Sequence, residues 1–508
     1  MSPAAELIHR RRWWTLAVLS LSLLVIGLDN TILNVALPSL RTDLNATSSQ
    51  LQWIADSYML VFAGILLTAG SLGDRFGRRR ALVLGLVIFG AGSLASAFAG
   101  SATELIATRG LMGLGAAFIM PSTLSILTNV FPAGERAKAI GIWAAVSALG
   151  IAIGPVTGGW LLAHFWWGSV FLVNVPFVVA TLVAARRLVP ESRDPESPRL
   201  DGVGAGLSLV GLITLVWAVI EAPNRGWTSS HVLVAFAASA VLLTAFAVWE
   251  LRTRYPMLDV RMFRNRRFSA ASASVGLVFF ALMGTIFFLT QYIQSVLGYT
   301  PLQAGVRIIP VAGGMILGAG LSTKLTRRFG TKVMVAAGLG TVSAALFLLA
   351  HAQVDSGYGL VAAVLAIMGL GMGFAMAPAT DSVMGSLPLE KASVGSAMND
   401  TTRMVGGALG VAVLGSLLSS GYRSHLPASA GDAARDSLGG ALYVAGPHSA
   451  LADTARHAFV SGMGTAALAA GAIALAGALL ALVFLPAREH SVVVELAPPA
   501  TVDEALAA

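Results

Sequence analysis

The chain has 508 residues, 56% of them hydrophobic and only 11% charged, whereas soluble domains carry roughly 25% charged residues; an ordinary water-soluble globule is excluded. Zero cysteines rule out a disulfide framework, a thiolate metal site and a thiol nucleophile. The net charge of +8 would suit nucleic acid, but the cations gather in short loops between long apolar stretches, which is a membrane pattern. No nucleic-acid partner, metal or organic cofactor is expected.

A hydrocarbon core about 30 Å thick needs about 20 residues of apolar helix. Fourteen stretches meet this, near 13–37, 51–72, 81–99, 103–128, 139–162, 169–187, 203–221, 232–250, 270–296, 302–323, 333–351, 359–384, 393–419 and 457–486. Arg10, Arg11 and Arg12 before the first stretch look like the front of a signal peptide. That stretch is too long and lacks a prompt small-residue cleavage site, so it reads as a retained helix. An even number of spans puts both termini on one side. Of 33 Lys and Arg residues, 25 fall on that side and 5 on the other (Arg41, Arg225, Arg423, Arg435 and Arg456), so both termini are expected to be cytoplasmic. The external loop from 421 to 456 is rich in Ala, Ser, Gly and Asp and is expected to be a poorly ordered connector.

Between the second and third spans lies a glycine-rich, cation-rich turn containing Gly70, Gly73, Asp74, Arg75, Phe76, Gly77, Arg78 and Arg79. It recurs about 250 residues later, where Arg328, Phe329 and Gly330 align with Arg75, Phe76 and Gly77. One such hairpin per half indicates two pseudo-equivalent lobes, a common plan in secondary transporters, with the site at their interface. The expected fold is all-α and integral to the membrane. It has a cytoplasmic N-terminus (1–12), a six-helix lobe (13–187), a linker with two extra spans (188–268), a second six-helix lobe (269–486) and a cytoplasmic tail (487–508). The basic stretch from Arg252 to Arg267 would lie against an anionic leaflet or simply set topology.

Charges inside spans are costly and tend to face a cavity and a partner. Asp29, Asp56 and Arg109 all fall in the outer half of the first lobe. A carboxylate balanced between desolvation and a nearby arginine can take a proton in one conformation and release it in another. Simpler readings stand beside this one: a packing hydrogen bond from Asp29 to Asn30 or Asn34, an interfacial place for Asp56, a structural role for Arg109. Asp400 lies three residues before Arg403, which can neutralise it. Arg307 either attracts anions or snorkels to headgroups; Glu104 and Asp381 read as solvated groups. In the fifth span, Gly150, Gly154, Pro155, Gly158 and Gly159 combine a proline kink with a smooth face for close helix packing. The tryptophans near span ends, Trp13, Trp14, Trp53, Trp160, Trp166, Trp167 and Trp227, read first as interfacial anchors.

Together the hairpin, the string from Leu28 to Pro38, the Arg109–Gly113–Gly115 helix and the Gly154-Pro155 element resemble the major facilitator superfamily. More narrowly, with the two extra spans, they resemble its fourteen-span drug:proton antiporters of the quaternary-ammonium and multidrug type. The resemblance runs from about 13 to 486 and implies the major facilitator fold in a bacterial cell membrane. It implies a cytoplasmic gate latched by the Asp74–Arg75 hairpin, and Asp29, Asp56, Arg109 and Asp400 as sites of proton or substrate coupling. The implied function is export of lipophilic, cationic compounds by alternating access, with protons as the coupling ion. A dedicated exporter of one endogenous metabolite and an uptake symporter are the rivals. No enzyme activity is expected, and the working unit is expected to be a monomer among lipids. This chain departs from the pattern at Arg327, where the second hairpin lacks its aspartate, at Met112 in place of a common Gln, and at Met404 in place of a frequent acid.

Overall fold

In lipid a backbone must satisfy its own hydrogen bonds, and a single chain does this locally only as helix. The computed structural model describes residues 3–193, 201–258, 260–386 and 392–485, and the regular elements among them are helices. The first lobe contains α1 (Pro3–Leu44), α2 (Ser48–Phe76), α3 (Arg78–Ala97), α4 (Ala102–Val130), α5 (Ala133–His164), α6 (Ser169–Leu172) and α7 (Asn174–Leu188). Two inserted helices follow, α8 (Gly202–Arg225) and α9 (Ser230–Arg252). The second lobe contains α10 (Arg266–Gln291), α11 (Pro301–Arg307), α12 (Ile309–Phe329), α13 (Thr331–Leu349), α14 (Tyr358–Gly385), α15 (Ala392–His425), the short α16 (Asp432–Asp436) and α17 (Leu438–Ala445), and α18 (Ala450–Phe484).

Among the described residues, 14 segments are long and apolar enough to cross a membrane, as the hydropathy reading expects. Two spans are broken helices. Pro176 lacks the N–H that would reach the Leu172 carbonyl, and the sixth span breaks at Val173 between α6 and α7. Pro310 does the same between α11 and α12. By contrast α1 runs on through Pro38 to Leu44, beyond the expected end.

The segment from 421 to 456 corrects an expectation. Instead of a poorly ordered connector it folds into α16, α17 and the start of α18. Ala434, Leu438 and Ala441 recur at three- and four-residue spacing and are buried, and the Tyr422 hydroxyl donates to the Ala434 carbonyl at 2.7 Å. An alanine- and glycine-rich composition concealed a short amphipathic face. The tail from 487, with Arg488, and Lys391 lie outside the described residues.

The inserted pair is more than a linker, because α8 touches both lobes. Asn224 donates to the Ser49 hydroxyl of α2 at 2.7 Å, while the Ser416 hydroxyl of α15 donates to the Val219 carbonyl at 2.7 Å. At its other end Glu250 of α9 is buried and accepts from the Leu258 backbone at 3.0 Å, tying the return segment down.

Candidate functional site

Two helices of the first lobe place opposite charges at one point. Arg109 of α4 and Asp29 of α1 are 1% and 0% exposed and pair at 2.5 Å. The guanidinium also donates to the Ile54 carbonyl of α2 at 3.3 Å and lies 4.5 Å above the Tyr58 ring and 6.0 Å from that of Phe171. Asn174 donates to the second Asp29 oxygen at 3.0 Å and to the Ser93 hydroxyl at 3.1 Å. Ser93 in turn donates to the Phe171 carbonyl at 2.7 Å. A buried pair repays its desolvation only when its remaining hydrogen-bonding positions are filled, and this network fills most of them. Asn30 and Asn34 do not contribute; Asn34 donates to the Asn30 carbonyl instead. Met112 puts its sulfur 3.9 Å from Arg109.

Asp56 is placed differently. It is fully buried, yet among the described residues neither carboxyl oxygen has a hydrogen-bond partner. At about 100° per residue, it lies between two faces of α2: one, with Ser49 and Gly64, meets α8; the other, with Gln52 and Met59, meets α15. The group is therefore sealed inside the protein, where both lobes and the insert converge.

A central pocket of about 70 Å³ lies between the lobes, lined from the first by Asn30, Thr31, Met59, Phe62 and Met120, and from the second by Phe279, Met283, Asp400, Arg403 and Met404. Asp29 adjoins this lining through Asn30 but faces Arg109. Asp400 and Arg403 are 3.7 Å apart on α15, as their spacing allows. Ligand pockets for drug-sized molecules run to about 300–1,000 Å³, so this state is contracted.

The fifth-span glycines form the seam that holds α5 on α1. A Cβ at Gly154 would stand against the Thr31 hydroxyl and the Leu28 carbonyl, and one at Gly150 against the Leu24 carbonyl. Gly158 meets Ile32 in the same way, and the Thr31 hydroxyl donates to the Ile151 carbonyl at 3.0 Å. Pro155 sits inside the continuous helix. Gly159 turns to the other lobe, meeting Pro301 and Leu302 of α11, while Gly305 meets the Pro155 carbonyl.

That contact belongs to a closure at the cation-poor face. Gln294 donates to the Val35 carbonyl at 3.0 Å, in the turn before Pro38. Asp436 of α16 takes Arg41 of α1 at 2.9 Å, Arg423 of α15 at 3.5 Å and the Ser48 backbone at 3.1 Å. One carboxylate thus ties both lobes together. Beside it a basin of about 1330 Å³ opens, edged by Glu221, Arg225, Arg435 and Trp53.

At the opposite, cation-rich face, the hairpin makes its contacts within the first lobe. Asp74 pairs with Arg78 at 2.6 Å. Gly77 has φ of 123° and packs on Glu191, which also takes the Arg79 backbone at 3.0 Å and the Arg79 and Arg80 side chains at 3.6 and 3.7 Å. Gly70 and Gly73 lie against Pro121 and Ser122 of α4. Arg75 is exposed, 5.6 Å above its neighbour Phe76, and among the described residues it pairs with no carboxylate. Arg328 repeats this over Phe329 at 5.3 Å, as the internal repeat expects.

Sequence reasoning missed Asn174, Ser93, Glu191 and Asp436. The first two are uncharged residues within apolar runs; Glu191 lies in a loop and Asp436 ends the short α16, and each has a partner distant in sequence. Arg307, read as an anion attractor or a snorkelling residue, stacks on Tyr299 at 3.8 Å and on Tyr358 at 5.2 Å.

The model of the Major Facilitator Superfamily matches residues 19–411. The chain is 37% identical over 489 residues to the multidrug efflux pump LfrA of Mycolicibacterium smegmatis, covering 94% of this chain and 97% of that protein. It is 35% identical over 500 residues to the tetracenomycin C resistance and export protein of Streptomyces glaucescens, covering 95% and 93%. Among solved structures, an inward-facing, unoccupied bacterial homologue of the human lysosomal transporter Spinster superposes with a TM-score of 0.68 at 18% identity, covering 97% of this chain and 100% of that one. Two helical lobes, a pocket at their interface and these relatives lead to one conclusion: the chain belongs to the Major Facilitator Superfamily and is a multi-pass membrane transporter, not an enzyme.

Proposed function

We propose that this protein exports lipophilic small molecules from a bacterial cell in exchange for protons, with both termini in the cytoplasm and a monomer as the working unit. The similarity to LfrA supports drug efflux, and the single observation that carries the proton reading is the buried Asp29–Arg109 pair beside the central pocket. Placing the cation-rich face inside follows the positive-inside rule.

The mechanism runs through α1. A proton on Asp29 ends the ion pair that fastens α1 to α4. The same helix supplies Asn30 and Thr31 to the pocket and packs on the α5 glycine seam. Loading a proton therefore changes the fit of the wall that grips substrate. Asp56 offers a second place, since a proton there removes the cost of an isolated buried charge. With the cation-poor gate closed by Asp436 and the α5–α11 contact, the route by which substrate reaches the pocket is from the cytoplasmic side. Opening that gate would release substrate into the outer basin. Each proton supplies about 1.4 kcal/mol per pH unit and each net charge moved about 2.3 kcal/mol per 100 mV.

The test is a resistance panel of dyes, antibiotics and quaternary amines in an efflux-deficient host, with and without an uncoupler. Resistance that vanishes with uncoupler supports the proposal; no protection against any compound removes it. Protection against a single compound would favour the dedicated-exporter reading, which the similarity to the tetracenomycin C export protein supports.

A further inference from the structure

We propose that the central pocket selects uncharged, carbonyl-bearing aromatic compounds over permanent cations, and that Arg403 sets this preference. The inference rests on the transporter reading above and narrows its substrate class. It also runs against the cationic cargo that the family resemblance implies.

The only charged side chains lining the pocket, among the described residues, are Asp400 and Arg403. They stand 3.7 Å apart on one helix, so the pocket has no net charge to offer a cation. The nearby carboxylates are withheld. Both Asp29 oxygens are engaged, by Arg109 and Asn174, and the group is shielded from the pocket. Asp56 lies toward α8 and α15, outside the lining. A permanent cation entering here would lose its water and meet Arg403 before it met a free carboxylate.

The same wall suits another chemistry. The Arg403 guanidinium lies 5.5 Å from the Phe279 ring centroid, and its buried Nε has no hydrogen-bond partner. The guanidinium in the pocket wall carries further N–H donors, and a carbonyl, quinone or phenol oxygen is the acceptor that matches them. Around it stand Met59, Met120, Met283 and Met404, whose polarisable sulfurs pack well against flat aromatic faces and adapt to their outline. Asn30 adds a further donor from the opposite lobe. The complement is a planar aromatic body with an oxygen-rich, uncharged edge.

Binding to purified protein in lipid nanodiscs tests this by calorimetry with three probes: 1,8-dihydroxyanthraquinone (uncharged), ethidium (one charge) and methyl viologen (two charges). Wild type is expected to bind the quinone about tenfold more tightly than ethidium, and methyl viologen least. Arg403→Gln releases Asp400 and is expected to reverse the order of quinone and ethidium, while Arg403→Lys keeps the wild-type order. Met404→Glu, which adds a carboxylate without touching Arg403, is expected to gain ethidium binding and serves if Arg403→Gln does not fold. A wild type that prefers either cation, or an unchanged order in both Arg403→Gln and Met404→Glu, overturns the inference. If gradient-driven export persists while the order is wrong, only this selectivity falls. If no compound is exported under any gradient, the transport reading falls instead.

Discussion

At the residue scale the account turns on two carboxylates held in opposite ways. Asp29 is fully engaged, and its loss from the pair leaves Arg109 buried without a counter-charge. Arg109→Ala leaves the converse fault, a buried carboxylate without a counter-charge, and should lower stability by about 3–5 kcal/mol, read as a fall in the melting temperature of the purified protein. Arg109→Lys should restore little, because an ammonium cannot both pair with Asp29 and reach the Ile54 carbonyl while stacking on Tyr58. Asp29→Asn should insert normally yet lose proton-driven dye efflux from everted vesicles; wild-type transport in that variant would remove Asp29 from the mechanism. Asp56→Asn breaks no hydrogen bond and should leave the melting temperature nearly unchanged while altering the protons moved per substrate. Asp29, Asp56 and Arg109 were legible because a charge inside an apolar run is conspicuous. Asn174 was not, since an amide carries no charge and its partner lies 145 residues away.

Among elements, α5 is the one whose sequence spoke most directly. Its small residues at four-residue spacing announced a close helix contact, and the structure supplies the partner, α1. What spacing could not reveal is that Gly159, one position off that seam, faces α11 in the other lobe. Gly159→Leu should therefore wedge the lobes apart at the cation-poor face while leaving the α1–α5 seam intact. The hairpin offers a second case. Gly77 holds φ of 123° against Glu191, so Gly77→Ala should cost about 1–3 kcal/mol locally and raise protease sensitivity at the turn. Its glycine was readable as a helix break; its contact with Glu191, more than a hundred residues on, was not. The inserted α8 was visible only as hydropathy, and its bridging of α2 and α15 emerges from packing alone.

For the whole molecule, fourteen spans, the two-lobe repeat and the family were all written in the sequence, because lipid imposes length and polarity on every span. The state of the transporter was not, since which gate is shut depends on contacts between lobes. Here the cation-poor gate is shut, and Asp436 joins Arg41 to Arg423 across it. Asp436→Asn should increase maleimide labelling of a cysteine engineered at Trp53, on the basin wall. With no native cysteine the background is clean. Exchange of protons for cargo remains the claim on which the rest depends. It is tested most directly by steady-state accumulation of an exported compound in liposomes holding the purified protein, before and after both the pH difference and the voltage are collapsed. The account predicts that accumulation falls to the equilibrium level; accumulation that persists undiminished would contradict it.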